Sequence, residues 1–146
     1  MESNLTRFNN QIDDLINTIK KFDKIGEDKT ILVFELKLST IKSINAKKPL
    51  ECFLKYVYPY KQQIITRDES FFIGEKLVNE IKGNLKNEND ILLNSIKEND
   101  EFVLHHALNL QNHWKKNLND KQKEIIWTYF QVLIKLTERY VSQKYG

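Results

Sequence analysis

A chain of 146 residues, 40% hydrophobic and 29% charged, has the size and composition of one globular domain spanning residues 1–146. Its single cysteine, Cys52, excludes an internal disulfide. No apolar run approaches the ~18–20 residues of a membrane span. The net charge of +3 is too small to define a partner by itself.

The chain opens Met-Glu-Ser-Asn-Leu, without the basic and apolar regions of a signal peptide. Leu5, Phe8, Ile12, Leu15, Ile19 and Phe22 alternate three and four apart. That spacing predicts an amphipathic helix starting near Ser3 as N-cap. It suits a bundle seam or half of a coiled-coil dimer, and the bundle is preferred because sustained coiled coils run longer. Gly26 ends the pattern.

The segment Asp28–Ala46 reads two ways. Ile31, Phe34, Leu38, Ile41 and Ile44 fit a helix, whereas Leu32, Phe34, Leu36 and Leu38 alternate as in a strand. No second alternating run is available to pair with it, and a lone strand is unstable, so helix is the expectation. Pro49 suits a first helical turn, and Leu50, Phe53, Leu54 and Val57 follow at helical spacing. Pro59 predicts a kink or break, with a short helix resuming through Ile64 and Ile65. Arg67-Asp68-Glu69-Ser70 reads as a turn before Phe71 and Phe72. Leu77, Val78, Ile81 and Leu85 form a further stripe, weakened by Gly83. Asn87–Asp90 is a polar connector, Ile91–Ile96 a short helix, and Asn99-Asp100 a cap for a helix lined by Val103, Leu104, Ala107, Leu108, Leu110 and Trp114.

The last helix is the most clearly written. Asn119 caps it, with Gln122 placed for a capping box. Its polar residues, Lys121, Glu124, Thr128, Gln131, Lys135, Glu138 and Ser142, recur every three or four positions. Nearly everything between them is apolar. A helix with one thin wet stripe must be largely enclosed. The expected fold is therefore all-α, a single bundle of about six or seven helices with the C-terminal helix at its centre.

Charge is unevenly distributed. Residues 47–67 carry +4, residues 68–101 carry −5, residues 102–146 carry +4, and residues 1–46 are neutral. One reading is a nucleic-acid face built from segments 47–67 and 113–124, densest at Lys115, Lys116, Lys121 and Lys123. The other is mutual neutralisation across the bundle surface. Arginine forks for guanine are scarce, since only Arg7, Arg67 and Arg139 are present. The abundance of Lys, Asn and Ile fits an AT-rich genome.

Chemistry-bearing patterns are weak. His106 and His113 share a helix face about 10.5 Å apart along the axis, too far for one zinc, and His105 points elsewhere. Cys52 lacks an adjacent base. No glycine pair makes a phosphate loop, and no catalytic motif appears. No catalytic residue, metal site or cofactor is assigned, and a non-enzymatic role is expected. The aromatics around Pro59 are the best candidate surface: Tyr56, Tyr58 and Tyr60 combine apolar rings with polar tips, as interface residues do. The alternative is that Phe53, Phe71 and Phe72 belong to the core and the tyrosines mark its edge.

Two strings, Tyr58-Pro59-Tyr60-Lys61 continuing through Arg67-Asp68-Glu69 to Phe71-Phe72, and Ile126-Trp127-Thr128-Tyr129-Phe130, resemble short helical proteins of nucleocytoplasmic large DNA viruses. The resemblance implies a viral interaction or assembly protein, made in host cytoplasm and residing there or in the virion. Its partner would be a viral or host protein, with homo-oligomerisation left open and nucleic acid as the alternative. It supplies no active-site residues.

Overall fold

The computed structural model describes residues 3–86 and 100–145, with the side chains of 56, 81–86, 100–107 and 145 excepted. The described residues are all-α, with nine α-helices, one 3-10 turn and no strand. The count is close to the six or seven expected, with Asp23–Gly26 and Glu69–Ile73 as additional short helices. The connector predicted at 87–90, the short helix at 91–96 and the cap at Asn99 lie outside the described residues.

Helix α1 (Asn4–Lys20) begins where expected. The Ser3 hydroxyl accepts from the Thr6 amide at 3.1 Å, satisfying one orphan donor of the first turn. Its apolar seam buries Phe8, Leu15, Ile16 and Ile19. The seam lies along the C-terminal helix, the principal helix–helix contact of the molecule. Asn4 donates to Gln143 and Thr18 bonds Tyr129, so the two helices run antiparallel.

Short α2 (Asp23–Gly26) turns the chain. Gly26 is required there: a Cβ would collide with the Lys20 carbonyl. Helix α3 (Lys29–Ile44) settles the helix-or-strand ambiguity, because Asp28 caps it by accepting from the Thr30 amide. Helix α4 (Lys48–Tyr56) carries Pro49 in its first turn. It ends before Pro59, which sits in the 3-10 turn Tyr58–Tyr60.

Helix α5 (Lys61–Ile65) closes at Arg67, whose φ of 56° is the left-handed conformation of a helix C-terminus; the Asp68 amide bonds back to the Gln63 carbonyl. Asp68 then caps α6 (Glu69–Ile73). Helices α7 (Glu75–Lys86) and α8 (Asp100–Lys116) follow.

Helix α9 (Asp120–Tyr145) starts with a reciprocal capping box: Asn119 Oδ1 accepts from the Gln122 amide, and Gln122 Oε1 accepts from the Asn119 amide. It buries Ile126, Trp127, Leu133, Ile134 and Leu136. All seven stripe residues are exposed or half-buried. Thr137 is the exception to binary patterning. It is wholly buried, and its hydroxyl donates to the Leu133 carbonyl within the same helix. One contiguous apolar cluster joins residues of α1 to α5 and α9. No helix among the described residues is long and apolar enough to cross a membrane.

Candidate interaction surface

The aromatics around Pro59 divide by depth. Phe53 and Phe71 are buried; Tyr58, Tyr60 and Phe72 are half-buried. Tyr60 packs on Phe71, Phe71 on Phe72, Phe72 on Trp127, and Trp127 on Trp114, with ring centroids 5.1–5.6 Å apart. This is an interior chain of edge and tilted contacts. The hydroxyl of Tyr58 donates to Glu138 at 2.8 Å, and that of Tyr60 to Glu80 at 3.3 Å. Glu138 also receives Lys61. The Lys61 ammonium, followed by the Tyr58 hydroxyl, holds the Glu138 carboxyl below its ordinary range, and the same bond pushes the Tyr58 phenol up. Tyr58 and Tyr60 are thus at the core's edge with their polar tips engaged internally. The Tyr56 side chain lies outside the described residues.

One ion pair joins a basic segment to the acidic one, and two join the basic segments to each other. Arg67 pairs with Glu124, Lys123 with Glu69 and Lys61 with Glu138. Lys123 also lies over the Trp114 ring at 5.6 Å, and its hydrogen bond holds the Glu69 carboxyl below the ordinary range. Lys115, Lys116 and Lys121 are exposed. A different group of cations gathers on the C-terminal half of α9. There an open cleft of about 550 Å³ is lined by Asn4, Lys135, Glu138, Arg139, Ser142 and Gln143. A second, smaller cleft shares Gln143 and adds Lys47, Tyr140 and Lys144.

Among the described residues, the most exposed large apolar side chains are on α3. Only Ile31 of this helix is buried. Leu32, Val33, Phe34, Leu36 and Ile44 are exposed, Leu36 at 68% and Ile44 at 79%. Helical geometry places Leu32, Val33, Leu36, Thr40, Ser43 and Ile44 on one outward face, with Lys29 and Lys37 on it as well. The shoulder toward α1 is polar and paired: Lys20 bonds Glu35, and Lys42 bonds Asp13. Leu32 and Leu36, two of the four residues that made the sequence resemble a strand, are part of this outer face.

A buried polar network holds the start of α3. His113 of α8 is 8% exposed, and its Nε2 lies 2.8 Å from Asp28 Oδ2. A carboxylate can only accept, so Nε2 donates; in the neutral ring Nδ1 then accepts from the Asn117 amide at 2.8 Å. Asn109 also donates to Asp28. The bond from His113, followed by the Thr30 amide, drives the Asp28 carboxyl well below the usual carboxylate range. Nothing near His113 in the sequence points to this role, because its partner Asp28 is 85 positions away. The side chains of His105 and His106 lie outside the described residues. Among the described residues no three His, Cys, Asp or Glu side chains gather to hold a metal ion. Cys52 is half-buried and in no disulfide.

No protein-family model, curated protein or solved structure matches this chain.

Proposed function

We propose that this chain is a non-enzymatic interaction or assembly protein, viral as the resemblance implies, and that it binds its partner through the outer face of α3. One observation carries the reading. A cluster of apolar side chains in solvent marks a contact surface, and α3 leaves Leu32, Val33, Leu36 and Ile44 exposed on one face. The polar network at Asp28 and the paired shoulder fix the helix in place, so the face is presented on a rigid element. Tyr58 and Tyr60 are weaker candidates because their hydroxyls bond carboxylates of the same molecule.

Capture from source or infected cells tests this. The wild-type chain and a Leu32→Ser/Leu36→Ser variant are compared, each with and without nuclease. Partners lost with the variant and retained after nuclease support the reading. Equal capture by both variants removes α3 as the contact surface.

A second reading, nucleic-acid binding, is favoured by the cations of the α9 clefts. Lys135 and Arg139 line the larger cleft beside Glu138, whose charge acts on Lys135. Phosphate contacts by these groups and by Lys115, Lys116 and Lys121 would give an affinity that falls roughly 10³-fold between about 50 and 200 mM salt for six contacts. A salt-sensitive submicromolar affinity for DNA or RNA would put this reading first.

A further inference from the structure

The outer face of α3 has a property that selects its occupant: its two halves complement each other. The N-terminal half is bulky, with Leu32, Val33 and Leu36; the C-terminal half is small, with exposed Ser39, Thr40 and Ser43 before Ile44. Leu36 sits at the middle of the helix. We propose that this face is the contact between two copies of the chain, their α3 helices antiparallel across a two-fold axis near Leu36. The proposal rests on the interaction reading above and names its partner.

Such an axis lays Leu36 beside Leu36 of the second copy and Leu32 beside Thr40, so each bulky half meets a small half. Burying hydroxyls normally leaves unsatisfied donors. Here the Thr40 hydroxyl already donates to the Leu36 carbonyl at 3.0 Å, and the Ser43 hydroxyl to the Thr40 carbonyl at 2.8 Å. Both can therefore enter an apolar contact without losing a partner.

Charge agrees. Glu35 and Asp13, the carboxylates beside the face, are held by Lys20 and Lys42 of the same copy. They do not call for a basic partner. In the antiparallel arrangement Lys29 of each copy lies near the C-terminal carbonyls of the other α3, where a cation is favoured. The Lys37 heads can reach water along their aliphatic stems.

Area agrees too. The open parts of Leu32, Val33, Leu36 and Ile44 come to on the order of 450 Å² per copy, so pairing removes on the order of 900 Å², the size of a weak, transient interface. The expected dimer is reversible.

Sedimentation of the purified full chain from about 1 to 100 µM tests this, a range that brackets a micromolar dimer. The expected result is a monomer–dimer equilibrium that tightens with salt, because screening relieves the facing lysines. Leu36→Glu should weaken it roughly 30-fold or more, as loss of a hot-spot contact does. Helical circular dichroism should be unchanged, since Leu36 makes little contact within one copy. Mixing Leu32→Glu with Thr40→Lys protein should restore a heterodimer.

A chain monomeric at about 100 µM overturns the proposal. So does a dimer indifferent to Leu36→Glu, or one restored by mixing Leu32→Glu with Leu32→Lys, which marks parallel pairing. If the chain is monomeric while capture from cells still depends on Leu32 and Leu36, the partner is a different protein. The interaction reading then stands and the second copy falls.

Discussion

Helices α9 and α3 are both apolar around most of their circumference, yet they end in opposite situations. Around α9 the chain supplies partners: α1 runs along it, and α5 and the aromatic chain close other sides. The seven-residue polar stripe reaches water, together with Arg139, Gln143 and Lys144 near the C-terminal end. Around α3 the chain supplies partners for one side, through Ile31 and the ion pairs to α1, and leaves the opposite side open. Hydrophobic periodicity measures how much of a helix avoids water. It does not say whether the same chain does the covering.

The strongest way to break this comparison is to place one charge on each helix. Ile126→Asp on α9 puts an unpaired carboxylate at an 8% exposed position in the core and should cost several kcal/mol in chemical denaturation. Leu36→Asp on α3 should cost well under about 1 kcal/mol in dilute protein, where no second copy is present. Equal losses at the two sites would mean that α3's outer face is already covered within one molecule.

The attachment of α3 is next in size. Asp28→Asn keeps a side-chain acceptor for the Thr30 amide but removes the charge facing His113. It should cost about 1–3 kcal/mol at neutral pH. The sign of the pH dependence follows from the depressed Asp28 value. The carboxylate's contribution is fully present above its unfolded pKa of about 3.9, and is lost as pH falls through the lower folded value. The wild type should therefore lose more stability than Asp28→Asn between about pH 4 and pH 2. Parallel acid profiles for the two proteins would show that the His113 bond does not stabilise the fold.

How much of this was legible depends on the range of the interaction. The Ser3 cap, the Asn119–Gln122 box, the break at Pro59 and the α9 stripe are all local, and the sequence states them. The charge balance of the segments anticipated a pair such as Lys123–Glu69, but not Arg67–Glu124, which joins two net-basic segments. The Asp28–His113 network spans 85 positions and left no local trace. The outer face of α3 was present in the letters, in Leu32 and Leu36, but it looked like strand alternation. Two helix faces, one buried and one open, produce nearly the same pattern.

A smaller effect sharpens the α9 side. Asn119→Ala removes the acceptor for the Gln122 amide and should cost roughly 1 kcal/mol, the usual worth of an N-cap. Because the reciprocal Gln122 bond uses the Asn119 backbone amide, it survives the substitution. Gln122→Ala should then add a further loss that is smaller in the Asn119→Ala background than in wild type if the two bonds cooperate. A double-mutant cycle by urea denaturation reads this directly. Strict additivity would mean that the box is two independent contacts.

The smallest expected effect compares the two helices at positions outside the core. Gln131 lies on the wet stripe of α9, and Leu36 on the open face of α3. Gln131→Ala and Leu36→Gln should each change the stability of dilute protein by less than about 0.5 kcal/mol, since neither removes a buried contact and the residues have similar helix propensities. Concentration then separates them. Gln131→Ala should track wild type at every concentration. Leu36→Gln should lose the concentration-dependent rise in thermal midpoint that a dimer confers by mass action. If wild type has no such rise, the open face of α3 is not filled by a second copy. If both variants lose it equally, the face that pairs includes α9, and the contrast between the two helices fails at the level of assembly.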